Sequence, residues 1–106
     1  VFVDQGLLDS ALVYLERAHR VSPGDVGTMV NLGNVYRQKG LNDKAGFYYD
    51  LALQKDARNV LALFGLAAVR LAQGQPDQSS TLLRHILEID PSFQAARDAL
   101  ARLRAQ

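Results

Sequence analysis

The stretch 24–40 reads GDVGTMVNLGNVYRQKG, with four glycines among seventeen residues and asparagines on either side of one of them. A loop that holds a phosphate needs such glycines, because it presents backbone amides to the anion between a strand and a helix. Asp9, Asp43 and Asp77 form an evenly spaced set of carboxylates, the residue type that does general acid and base work when two members share a site. His19 and His85 carry metal-ligating nitrogens, and Ser79, Ser80 and Thr81 carry hydroxyls that a neighbouring base could activate. Which of these chemistries is available depends on the elements that carry the residues.

The elements are set by a repeat of 34 residues. Gly6, Gly40 and Gly74 recur at that spacing, as do the three aspartates, as do Leu32, Leu66 and Leu100. Ala11 corresponds to Ala45 and Ser79, and Pro23 to Ala57 and Pro91. Gly33, the glycine between Asn31 and Asn34, has Ala67 and Ala101 as its counterparts, while the two asparagines become Gly65 and Ala68. Smallness recurs and the polar chemistry does not. The pattern asks for a small residue where helices approach closely, and the helical period leaves no strand to precede a phosphate loop.

Each unit divides into two helices. Met29, Leu32, Gly33 and Tyr36 stand at i, i+3, i+4, i+7, one face of a helix over 26–39. Gly40 ends it, as a glycine free to turn left-handed does just past a helix. Asp43 then starts a second helix over 41–56, with Ala45, Tyr49 and Ala52 as its inner stripe, and the aspartate is expected to cap it. Further helices are expected over 7–21, 60–73, 76–89, where Pro76 precedes Asp77, and 92–104, after a helix fragment at 1–5. Each aspartate thus belongs to a different helix start, which argues against paired carboxylates. His19 stands where Leu53 and Leu87 stand later, the place of a partly buried, hydrogen-bonded histidine. His85 has no second histidine at helical spacing and the chain has no cysteine, so no metal and no other cofactor is expected. The hydroxyls at 79–81 lie within a helix without a strand-to-helix elbow, and the chain is read as not an enzyme.

Composition narrows the partners. The 106 residues, 48% hydrophobic and 22% charged, suit one folded unit. Twelve basic and eleven acidic residues give a net charge of +1 with no basic stripe, which argues against nucleic acid. The longest apolar run, near Val60–Leu71, is too short to span a bilayer, so no membrane insertion is expected. A chain without cysteine suits the cytoplasm and the periplasm alike. It opens on Val1-Phe2-Val3, apolar residues without an initiator methionine, and reads as a piece of a longer protein.

Met29, Leu32-Gly33, Tyr36, Ala45 and Tyr49, with the proline position at Pro23 and Pro91, resemble the tetratricopeptide repeat. The resemblance implies an all-α fold: a right-handed α-solenoid of antiparallel helix pairs, its concave surface lined by the first helices and serving as a platform for peptides or helices of other proteins. It divides the chain into a partial repeat at 1–25, repeats at 26–59 and 60–93, and a capping helix at 94–106. Arg70 in the place of Tyr36, Ala57 in that of the proline, Ser79 in that of the inner alanine, and Gly46 in mid-helix depart from the pattern.

The helix over 60–73 carries two apolar lines. Leu63, Leu66, Ala67 and Val69 form one, and Leu61, Phe64, Ala68 and Leu71 form another at i, i+3, i+7, i+10. A helix apolar on both sides normally has both covered. By the resemblance the second line faces the concave surface, between Asn34 and Arg37 on one side and Asp98 and Arg102 on the other. The implied ligand is an apolar or amphipathic peptide or helix across Phe64, oriented by Asn34, Arg37 and Arg102. Chaperone-docking members of the family hold an acidic tail with a clamp of Lys, Asn and Arg. Asn31 and Asn34 match its asparagines, but Leu61 and Gly65 stand where its lysine and arginine belong. Val13, Phe47 and Leu51 should face away from the first helices, an apolar patch for weak dimerisation or end-to-end stacking. The second reading of the chain is a segment that recruits substrates for a catalytic domain elsewhere in a parent protein.

Overall fold

The computed structural model describes residues 4–105. Among them the chain forms six α-helices and no strand: α1 (Gln5–Val21), α2 (Val26–Gln38), α3 (Asn42–Lys55), α4 (Val60–Ala72), α5 (Pro76–Ile89) and α6 (Gln94–Arg104). Connections of a few residues return each helix against its predecessor, and α2 also touches α4, the first helix of the following unit. The result is an all-α helical-repeat solenoid. Val1 to Val3 of the expected leading fragment lie outside the described residues.

The turns between paired helices rest on the glycines. Gly40 has φ +79° and Gly74 φ +76°, conformations in which a Cβ would crowd the backbone. At the first, Leu41 N–H donates to Tyr36 C=O at 2.9 Å and Gly40 N–H to Arg37 C=O at 3.0 Å. At the second, Gln75 and Gly74 repeat the pattern on Arg70 and Leu71. These paired bonds satisfy carbonyls that the helix end leaves free.

The first unit departs from the period. Gly6 does not end a helix; it lies within α1, whose N-cap is Asp4, accepting from Gly6 N–H at 2.9 Å and Leu7 N–H at 3.4 Å. Asp4 supplies the acceptor that the free amides need, so the helix starts at Gln5, two residues earlier than the expected 7–21. The aspartates are corrected too. Asp43 and Asp77 occupy the first turns of α3 and α5, where their charge favours the helix dipole, but neither helix has a side-chain cap. Asp43 accepts instead from Gln73 Nε2 at 3.0 Å, and Asp9 pairs with Lys39, so these carboxylates tie a second helix to the end of the next first helix. Besides Asp4 on α1, the capping side chains are Asp25 on α2 and Asn59 on α4, each accepting from a first-turn amide.

Burial follows the two stripes. Leu32, Ala45, Tyr49, Ala52, Ala62 and Val69 are fully buried in one cluster, which Met29, Val30, Tyr36 and Leu66 complete. Leu63, Ala67, Leu83, Ile86, Ala96 and Leu100 form a second, between α4, α5 and α6. The unexpected Ser79 is accommodated there because its hydroxyl donates to Ala67 C=O at 2.9 Å, leaving no buried donor unpaired.

Candidate binding groove

The groove is best built from Tyr49, a residue of α3 with no exposed surface. Its ring lies between α2 and α4. A Cβ placed on Gly33 would stand 2.7 Å from its Cε1, and one on Gly65 2.3 Å from its Cζ, distances that no real methyl tolerates. The phenol emerges beside the polar residues of α2, donating to Asn34 Oδ1 while accepting from Arg37 Nε at 3.1 Å. Burial pushes the Tyr49 phenol above its usual range, and the Arg37 guanidinium opposes that rise in part. The ring thus plugs the contact between neighbouring first helices and is fully satisfied at its polar end.

One period later every part of that plug has changed. Tyr49 becomes Leu83, Gly33 becomes Ala67, Asn34 becomes Ala68, Arg37 becomes Leu71 and Gly65 becomes Ala99. Leucine is shorter than tyrosine, and the space above it stays open as a pocket of about 170 Å³. Phe64, Ala67, Ala68 and Leu71 of α4 form one wall, Ser79 and Leu83 of α5 the floor, and Ala99, Arg102 and Leu103 of α6 the other wall. Phe64 is held in place by Phe93, their ring centroids 5.6 Å apart. The Ser79 hydrogen is spent on Ala67 C=O, so Arg102 brings the charge to an otherwise apolar lining.

Of the residues expected to bind a peptide, Phe64, Ala68, Leu71 and Arg102 therefore stand together around one pocket. Leu61 is 61% exposed and lies on α4 outside that lining. Asn34 and Arg37 sit a unit away, with polar groups already serving Tyr49. Leu83 and Ala99 escaped the reading of one apolar line, although comparing Tyr49 with the residue one period on would have found the first. Val13 is 56% and Phe47 59% exposed, whereas Leu51 is half-buried against the core. The Phe47 ring meets Tyr48 edge-on at 5.2 Å.

The other chemical candidates have structural surroundings. His19 is half-buried, as expected, but its Nδ1 has no hydrogen-bond partner and the ring stands edge-on to Tyr48 at 5.9 Å. An aromatic neighbour, not a hydrogen bond, holds it. His85 is exposed, 3.6 Å from Glu88. Thr81 donates to Asp77 C=O at 3.0 Å within its own helix.

A family model described as tetratricopeptide repeat matches residues 38–103. The chain is 32% identical over 107 aligned positions to the tetratricopeptide repeat and J domain-containing co-chaperone DNJ1 of Fusarium oxysporum f. sp. lycopersici, a match that takes in 95% of the chain and 20% of that protein. The chain thus spans about a fifth of the length of this curated relative. Among solved structures, the first TPR of Spaghetti (RPAP3) bound to the HSP90 peptide SRMEEVD superposes with a TM-score of 0.89 at 19% identity, covering 95% of this chain and 80% of that one. The Yersinia enterocolitica type III secretion chaperone SycD, in complex with a peptide of the translocator YopD, superposes with a TM-score of 0.85 at 16% identity, covering 95% and 82%.

Proposed function

We propose that this chain, which belongs to the tetratricopeptide repeat family, is a protein-interaction module that holds an apolar or amphipathic peptide or helix of another protein across Phe64. The observation that carries this reading is the apolar pocket beside Phe64, with the exposed Leu71 in its lining and the exposed Leu61 three residues before Phe64 on the same helix. A soluble surface that keeps a row of large apolar side chains uncovered around a pocket is the usual mark of a binding site. The Spaghetti and SycD structures each hold a peptide, and the Fusarium relative is a co-chaperone; both facts support a peptide or protein as the partner. The ligand chemistry is this chain's own. Leu61 and Gly65 replace the cations of the acidic-tail clamp, which favours apolar contact over carboxylate capture.

Covering Leu61, Phe64 and Leu71 is worth about 1.5–3 kcal/mol per fully buried side chain, a gross gain of roughly 5–9 kcal/mol, before the ordering of an extended peptide is subtracted. Micromolar affinity with weak salt dependence is the expected outcome. Residues 26–59 and 60–93 act in this reading as the two full units that build the groove, and 94–106 as the cap that closes it. Peptides selected against the chain from a random displayed library test it. Phe64→Asp should weaken them by about tenfold or more, equivalent to about 1.4 kcal/mol. Affinity unchanged by that substitution, or falling steeply with added salt, would refute the reading.

A further inference from the structure

We infer that the pocket between α4, α5 and α6 is a receptor for one aromatic side chain of the bound peptide, the intermolecular counterpart of the Tyr49 ring; this rests on the groove reading above. The template is internal. In the unit before, the same inter-helix space is filled by an aromatic ring delivered from α3, with Gly33 and Gly65 making room for it. In this unit the helix that should deliver the ring offers Leu83, and about 170 Å³ stays empty. An apolar cavity of about 150 Å³ is enough to admit benzene.

The floor decides from which side the ring enters. Ala67 and Ala99 carry the methyl groups that Gly33 and Gly65 lack, so a ring cannot sit as deep as Tyr49 does. It must rest above Leu83, entering from the open mouth where Leu71 and Arg102 stand. Phe64, backed by Phe93, presents a ring to it, and edge or offset contacts between aromatic rings add attraction beyond burial. Arg102, exposed at the rim, is placed to lie over the face of an entering ring, a cation–π contact that an aliphatic side chain cannot make. Asn34 and Arg37, which satisfy the Tyr49 hydroxyl, have become Ala68 and Leu71. The pocket therefore selects for the ring rather than for a polar end at its mouth.

The test uses N-acetyl-phenylalaninamide and N-acetyl-leucinamide as probes, titrated into isotope-labelled protein while the resonances of Phe64, Leu83 and Ala99 are followed. The aromatic probe should shift all three saturably and bind about fivefold or more tighter than the aliphatic one. Restoring the plug with Leu83→Tyr, Ala67→Gly and Ala99→Gly together should abolish the shift of Phe64, the probe resonance that this variant keeps, in a protein whose helical circular dichroism is unchanged. Ala99→Leu, a single change that fills the pocket from α6, should do the same if the triple variant does not fold. Equal binding of the two probes, or no shift with the aromatic one, would overturn the inference. If the library peptides still required Phe64 in that case, the groove reading would stand without it, whereas peptides indifferent to Phe64→Asp would remove both.

Discussion

Tyr49 shows how one side chain imposes glycine on two helices that do not contain it. Gly65 follows neither helix propensity nor turn geometry, since it lies inside α4 with ordinary φ, and its cause is the ring 2.3 Å from where a Cβ would stand. Gly65→Ala should therefore destabilise by about 1–3 kcal/mol, the usual result of overpacking a close-packed core. Tyr49→Leu costs stability on its own, yet in the double variant the alanine should cost little, because Leu83 and Ala99 already coexist one unit later. Urea unfolding of the four proteins measures this as a coupling of about 1 kcal/mol or more; additive effects would show that the ring is not the reason for the glycine. Tyr36 yields a pH prediction. Its phenol, pushed from 10.0 to about 12 by burial and then by the Glu16 carboxylate that accepts its hydrogen bond at 3.1 Å, stays protonated in the fold after the unfolded chain has begun to ionise. Its contribution is complete below pH 10 and is lost as pH rises toward 12. Thermal midpoints should fall across that window, and less steeply in Tyr36→Phe.

Among the helices, α3 has a glycine of the opposite kind. A Cβ on Gly46 would meet Arg70 Nη1 and Val69 Cγ1 at 3.7 Å, ordinary contact distance. Gly46→Ala is expected to stabilise by about 0.5–1 kcal/mol through helix propensity and a less disordered unfolded chain, raising the urea midpoint where Gly65→Ala lowers it. Helix starts give a second contrast. Asp25 caps α2, accepting from Gly27 N–H at 3.2 Å and from Thr28 Oγ1 at 2.8 Å, so Asp25→Ala should cost about 1 kcal/mol. Asp43 accepts no amide of α3 and bonds the exposed Gln73, so Asp43→Ala should remain within about 0.5 kcal/mol. Equal losses by calorimetry would restore the aspartates at the repeat spacing as caps.

At the scale of the whole molecule, the solenoid exposes apolar side chains outside the pocket as well as around it. The pocket is lined by α4, α5 and α6; Val13 of α1 and Phe47 of α3 are exposed outside that lining, with Tyr14 75% exposed beside Val13 on α1. We propose weak self-association through this second patch. Sedimentation at high protein concentration should show a species heavier than the monomer, and Phe47→Glu should remove it without weakening the peptides held across Phe64. A clean monomer at every concentration would exclude the patch as a contact between copies.

The period of 34 residues determined the helices, their pairing and the family, because both helical spacing and the left-handed turns at Gly40 and Gly74 depend on local residue types that recur along the chain. The second apolar line of α4 was equally legible, since Leu61, Phe64, Ala68 and Leu71 lie on one helix at regular spacing. What the sequence did not reveal are relations between residues on different helices. Asp9 and Asp43 turned out to tie neighbouring pairs instead of capping, and Asn34 and Arg37 to hold the Tyr49 phenol. The pocket belongs to that class as well. It exists because Leu83 of α5 falls short of a space bounded by α4 and α6, and the volume left when a side chain does not reach is fixed only once three helices have been brought together.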